Sequence, residues 1–154
     1  RFDFDPAIDM ALYKAQKEIE QLNGRLQQQL GILKEQQRVI QELAASDTAK
    51  TSLKDEIGVL SKKIDQLRYQ AIGTPETRQV GAWQSFEVTS LSLIKEARRK
   101  FQSSHQIPSA QELELIDQVR EQVEAFEKLF EDHMKTTWSP FLEKMKKQRP
   151  GWKG

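Results

Sequence analysis

The stretch from Asp5 to Ala45 constrains the fold more than any other part of the chain. Its apolar residues fall at Ile8, Leu12, Ala15, Ile19, Leu22, Leu26, Leu30 and Leu33, always three or four positions apart. That spacing draws one stripe along a helix and comes close to a heptad repeat. About 40 residues rising ~1.5 Å each make a rod of roughly 60 Å. Such a rod cannot be buried inside a chain of 154 residues. The remaining segments must line up along it.

Asp5-Pro6 supplies the helix start. Asp5 can cap free amide groups, and Pro6 suits the first helical position because it has no amide hydrogen to satisfy. Ahead of them, residues 1–5 read as a short extended segment, with Arg1-Phe2-Asp3-Phe4 alternating polar and aromatic. Gly24 and Gly31 interrupt the helix at a cost of about 1 kcal/mol each relative to Ala. A bend, or the close approach of another helix, would account for them, and a functional hinge is the alternative.

The polar run Ser46–Ser52 is a turn. Leu53, Ile57, Leu60, Ile64 and Leu67 then repeat in steps of four and three, which predicts a second helix over 53–71. Gly73-Thr74-Pro75 ends it, since Gly accepts a left-handed terminal conformation and Pro cannot continue a helix. A third helix is expected over 77–103, with Trp83 on its core stripe and a Ser/Thr-rich stretch at Thr89–Leu93 that packing must hold. Arg98-Arg99-Lys100 reads as a solvated helix end that complements the dipole. Ser109-Ala110-Gln111-Glu112 has the form of a capping box and opens a fourth helix over 110–147. Trp138-Ser139-Pro140 predicts a break near 138–140, either a kink or a restart capped by Ser139. Residues 148–154 form a tail.

The expected fold is therefore all-α: an elongated antiparallel four-helix bundle. Short loops favour antiparallel neighbours. With unequal helix lengths, the first and last helices would extend beyond the others as a two-helix stalk. Ile8, Leu12, Ile19 and Leu22 would there pack against Phe126, Phe130, Met134 and either Trp138 or Phe141, and both chain ends would meet at one base.

Several chemistries find no support. There is no cysteine, which excludes disulfides, thiolate metal sites and thiol catalysis and fits either redox compartment. Lys plus Arg number 24 against 23 for Asp plus Glu, so a general attraction to nucleic acid has no electrostatic footing. No apolar run reaches the ~18 residues of a membrane span. A bundle di-metal site needs Glu-x-x-His, but Phe130 and Gln102 stand three places before His133 and His105. His133 reads as a surface or stalk-edge residue, and no catalytic, metal or cofactor site is expected. The carboxylates read as solvated faces and i,i+4 pairs such as Lys14 with Glu18 and Glu143 with Lys147. Trp138, Phe141 and Trp152 are the candidate interaction surface, because large aromatics near a helix break can plug a stalk or meet a neighbouring domain.

The segments Asp5-Pro6 and Ile107-Pro108-Ser109-Ala110-Gln111-Glu112, the latter running on to Ile116 and Val119, carry a resemblance. Together with the long first helix and shorter second one, they are similar to the C-terminal helical region of bacterial sortilin-like β-propeller proteins of the glycosyl hydrolase type. In that family the propeller carries the Asp-box repeats and any glycan site. No Ser-x-Asp-x-Gly-x-Thr-Trp box occurs here, so no catalytic residue carries over. The resemblance implies an exported, periplasmic or cell-surface setting and a parent β-propeller as partner. The chain opens on Arg1 without an initiator Met, which suits an excerpt or a processed product. The expected function is a non-catalytic helical arm or scaffold for protein–protein interaction, not an enzyme. The alternative is an accessory domain of a glycoside-acting propeller enzyme. Self-association through the heptad stripe is a third reading.

Overall fold

A computed structural model describes residues 6–46, 51–73, 89–102 and 108–148. It is an all-α helical bundle, as the periodicity predicts. Helix α1 spans Pro6–Ala44, α2 Thr51–Ile72, α3 Ser90–Gln102 and α4 Ala110–His133. A π-helical turn, Met134–Trp138, then leads into α5, Ser139–Gln148. Residues 1–5, 47–50, 74–88, 103–107 and 149–154 lie outside the described set, and with them most of the expected 46–52 turn, the expected start of the third helix, Trp83 and Trp152.

The helix ends follow local chemistry. Gly73 closes α2 at φ 87°, and its amide donates to the Tyr69 carbonyl at 2.8 Å. That left-handed backbone favours glycine. Thr89 and Ser92 cap α3 reciprocally: the Ser92 amide donates to Thr89 Oγ1 at 3.1 Å, and the Thr89 amide to Ser92 Oγ at 2.9 Å. The Ser/Thr-rich run therefore starts α3 and is not a weak interior stretch. Ser109 and Glu112 form the expected capping box on α4, with reciprocal bonds of 3.1 and 3.2 Å.

The arrangement inside the bundle differs from the expected stalk. Glu18 of α1 meets Arg120 of α4, Arg25 and Gln29 meet Glu127, and Gln36 meets His133 and Met134. Numbers on both helices rise together, so α4 and the π turn run parallel to α1. Helix α3 runs the other way, since Gln16 pairs with Phe101 and Glu20 with Arg98. Helix α2 also runs back along α1, which it reaches at Gln37 through Ser61 and Asp65. Helices α2 and α3 thus lie in tandem: α2 covers the C-terminal half of α1 and α3 the N-terminal half.

The described residues form three rods, up, down and up, with a down rod made of two helices. The run Ala110–Gln148 matches α1 in length. Pro6 sits at one end of the bundle. Lys144 pairs with Glu56 near the start of α2, which puts Gln148 at the other end. The rule that short loops reverse direction holds at 45–50 and 103–109. It has no force between α2 and α3, which point the same way along α1. One apolar cluster runs the full length, from Leu12 and Leu115 through Leu26, Val123 and Ile64 to Met145. Gly24 and Gly31 face open space, and a Cβ on either would meet nothing within 4 Å. Among the described residues no helix approaches them, so close packing does not explain them.

Near the expected break at 138–140 the π-helical turn gives way to α5 at Ser139, but Ser139 does not act as a cap. Ser139 is helical, at φ −61° and ψ −44°, and its amide donates to the Met134 carbonyl, five residues back. Proline lacks an amide and crowds the carbonyl four residues before it. Widening the preceding turn relieves that crowding, and π turns are the usual form such widening takes. Thr136 Oγ1 donates to the Asp132 carbonyl at 2.7 Å, taking up one acceptor within the widened turn.

Candidate interaction groove

The apolar stripe of α4 reads Val119, Val123, Phe126, Phe130, and its next position is His133. The imidazole is accordingly buried, at 7% exposure, and is not a surface group. Continuing the 4,3,4,3 count by one step would have located it. The α1 stripe likewise continues from Leu33 through Gln37 to Ile40. Gln36 and Gln37 are both buried.

These residues form a polar layer across the three rods. His133 Nε2 lies 2.7 Å from Gln36 Oε1. The amide oxygen accepts, so Nε2 carries the proton. Gln36 Nε2 donates to Met134 Sδ at 3.0 Å. Gln37 Nε2 donates to the Ser61 carbonyl at 3.0 Å and to Asp65 Oδ1 at 2.8 Å, while Ser61 Oγ donates back to Gln37 Oε1 at 3.1 Å. Buried amides paired in this way fix the axial register of the rods, because a shift would strand their donors.

Burial, reinforced by the Lys63 ammonium, holds His133 below its ordinary value of 6.5. The unfolded chain then takes up this proton first as pH falls. Stability from the neutral imidazole is complete above about pH 6.5 and is lost as pH drops through that value toward the lower folded one. Thermal melts of the wild type should therefore fall between pH 7.5 and 5.5, and His133→Gln should flatten that slope. The lowered carboxyl groups of Glu20 and Glu35, whose ordinary value is 4.5, act in a separate window below it.

Several ion pairs clamp the rods from outside. Arg98 donates to Glu20 through two bonds of 2.7 and 2.6 Å, so this member of the basic cluster pairs across to α1. Glu18 turns to Arg120, which also holds Asp117, rather than to Lys14. Among the described residues, no group of three or more His, Asp or Glu side chains is placed to hold a metal ion. Among them also, no helix is long and apolar enough to cross a membrane.

Of the three aromatic residues expected at the surface, Trp138 is buried and packs on Phe141 with ring centroids 5.6 Å apart. It belongs to the core because the π turn rotates it inward. Phe141 is half-buried, and Trp152 lies outside the described residues. Phe141 and Thr137 form one wall of an open groove of about 350 Å³, and Asp55, Glu56, Val59 and Lys63 of α2 form the other. Val59 is 57% exposed, more than any other large aliphatic side chain of α2. The Lys144–Glu56 ion pair bridges the two walls. Sequence reading missed Val59 because it falls off the heptad stripe. Its signal was an apolar residue on the polar face, between Asp55-Glu56 and Lys62-Lys63.

Comparison with known proteins finds no match: no family model, no curated protein and no solved structure is similar enough to place the chain in a family.

Proposed function

We propose that this chain is a non-catalytic helical scaffold that mediates protein–protein interaction. The observation that carries this reading is the groove between α2 and α5, an apolar hollow with a charged rim. An aromatic or aliphatic anchor in such a hollow is the usual centre of a protein interface. The polar side chains support the same reading, since Gln36, Gln37, His133, Arg98 and Arg120 are spent on holding one rod to another. The likeness of Asp5-Pro6 and of the 107–112 segment to the helical region of sortilin-like proteins supports an exported setting for the scaffold.

A photo-reactive benzophenone amino acid placed at Val59 tests the reading in the native host. The same group at Glu124, exposed on α4, is the control. A discrete cross-linked protein band is expected from Val59 alone. No band, or the same bands from both positions, overturns the assignment.

A further inference from the structure

We infer that the occupant of this groove is a second copy of the same chain, docked antiparallel across a two-fold axis passing beside Val59. The inference rests on the groove being an interaction surface, and it adds the identity of the partner. The α2 sequence around Val59 is Asp55-Glu56-Ile57-Gly58-Val59-Leu60-Ser61-Lys62-Lys63. Two acids precede Val59 by four and three positions, and two lysines follow it by three and four. On a helix, positions three and four away share a face. A two-fold axis perpendicular to two antiparallel helices sets each position before the centre against the equivalent position after it. Asp55 and Glu56 of one copy thereby face Lys62 and Lys63 of the other, twice over.

The pattern is complementary to itself, which is what an isologous two-fold interface requires. Asp55, Val59, Lys62 and Lys63 are all exposed. Among the described residues, Asp55, Lys62 and Lys63 make no ion pair within the protomer. Val59 supplies an apolar centre, and Phe141 on the opposite wall extends it. Arranged in parallel, two α2 helices would set acid against acid and lysine against lysine, so the charges also fix the direction of docking.

Block charge reversal tests this on the full chain by sedimentation across a concentration series. The wild type should sediment as a monomer–dimer equilibrium. The Asp55→Lys/Glu56→Lys variant makes the face wholly positive, and the Lys62→Glu/Lys63→Glu variant makes it wholly negative. Each alone should dimerise on the order of 100-fold more weakly, because like charges meet across the axis. An equimolar mixture of the two should recover dimers, now of mixed composition. Val59→Glu should be monomeric with an unchanged melting curve, which separates loss of docking from loss of folding. A wild type that stays monomeric at every concentration overturns the inference, as does a dimer that neither block reversal weakens. If the Val59 benzophenone then captures a different protein, the groove remains an interaction surface and only the identity of the partner is wrong. If it captures nothing, both readings fall.

Discussion

Spin labels at positions 9 and 147 should report a separation of roughly 50 Å or more. Asp9 lies in the first turn of α1, and Lys147 in the last turn of α5. Helix α1 alone carries the chain most of 60 Å at ~1.5 Å per residue. The α4–π–α5 rod runs parallel to α1, so it ends at the far end rather than returning to the start. A bundle with its ends at one base would bring the same labels within roughly 10–20 Å, about one or two helix diameters. Pulsed electron–electron resonance separates these distances without ambiguity. A short distance would refute the parallel pairing of Glu18 with Arg120 and of Gln36 with His133.

The second large effect is on stability. Phe130→Ala should destabilise the bundle by about 3–5 kcal/mol, the range for a buried phenyl ring truncated in a packed core. Phe130 is 8% exposed and lies one turn before His133, where α1 and α4 both contribute to the cluster. For a chain of this size each kcal/mol moves Tm by ~2–4 °C, so a drop of roughly 10 °C is expected. Leu113→Ala, at 50% exposure, should change stability by no more than about 0.5 kcal/mol. Thermal denaturation of the two variants side by side checks both. Equal melting temperatures would mean that the burial pattern of α4 is wrong.

Much of this architecture was legible in the residues themselves. The 3–4 spacing in α1 and α2 reports a helical face directly, and Ser109 with Glu112 reports a helix start because both groups act within four residues. Gly73 reports a stop for the same local reason. What the pattern could not report is direction. Helix periodicity says which face is buried but not which way the next rod runs. The stripes of α2 and α3 look the same whichever way each helix points. The site was only half legible. Phe141 was found because aromatics near a proline draw notice. Trp138 is open between core and surface in the sequence because a side chain near a proline has no fixed place in the stripe, and the structure buries it. His133 was misread as a surface group because its polarity was weighed before its position in the stripe.

The π turn has a consequence for how this chain tolerates editing. Along the last rod the buried positions run Phe126, Phe130, His133, then Trp138, and the final step is five residues where the others are three or four. One residue between Met134 and Trp138 is surplus to the count. A helix core normally suffers most from a single-residue deletion, because every later side chain swings by about 100°. Here the deletion would return the step to four and keep Trp138 and Met145 facing inward, while Pro140 would again crowd the carbonyl four residues before it. Among the described residues, the π turn is where the reading frame of the core carries a spare residue.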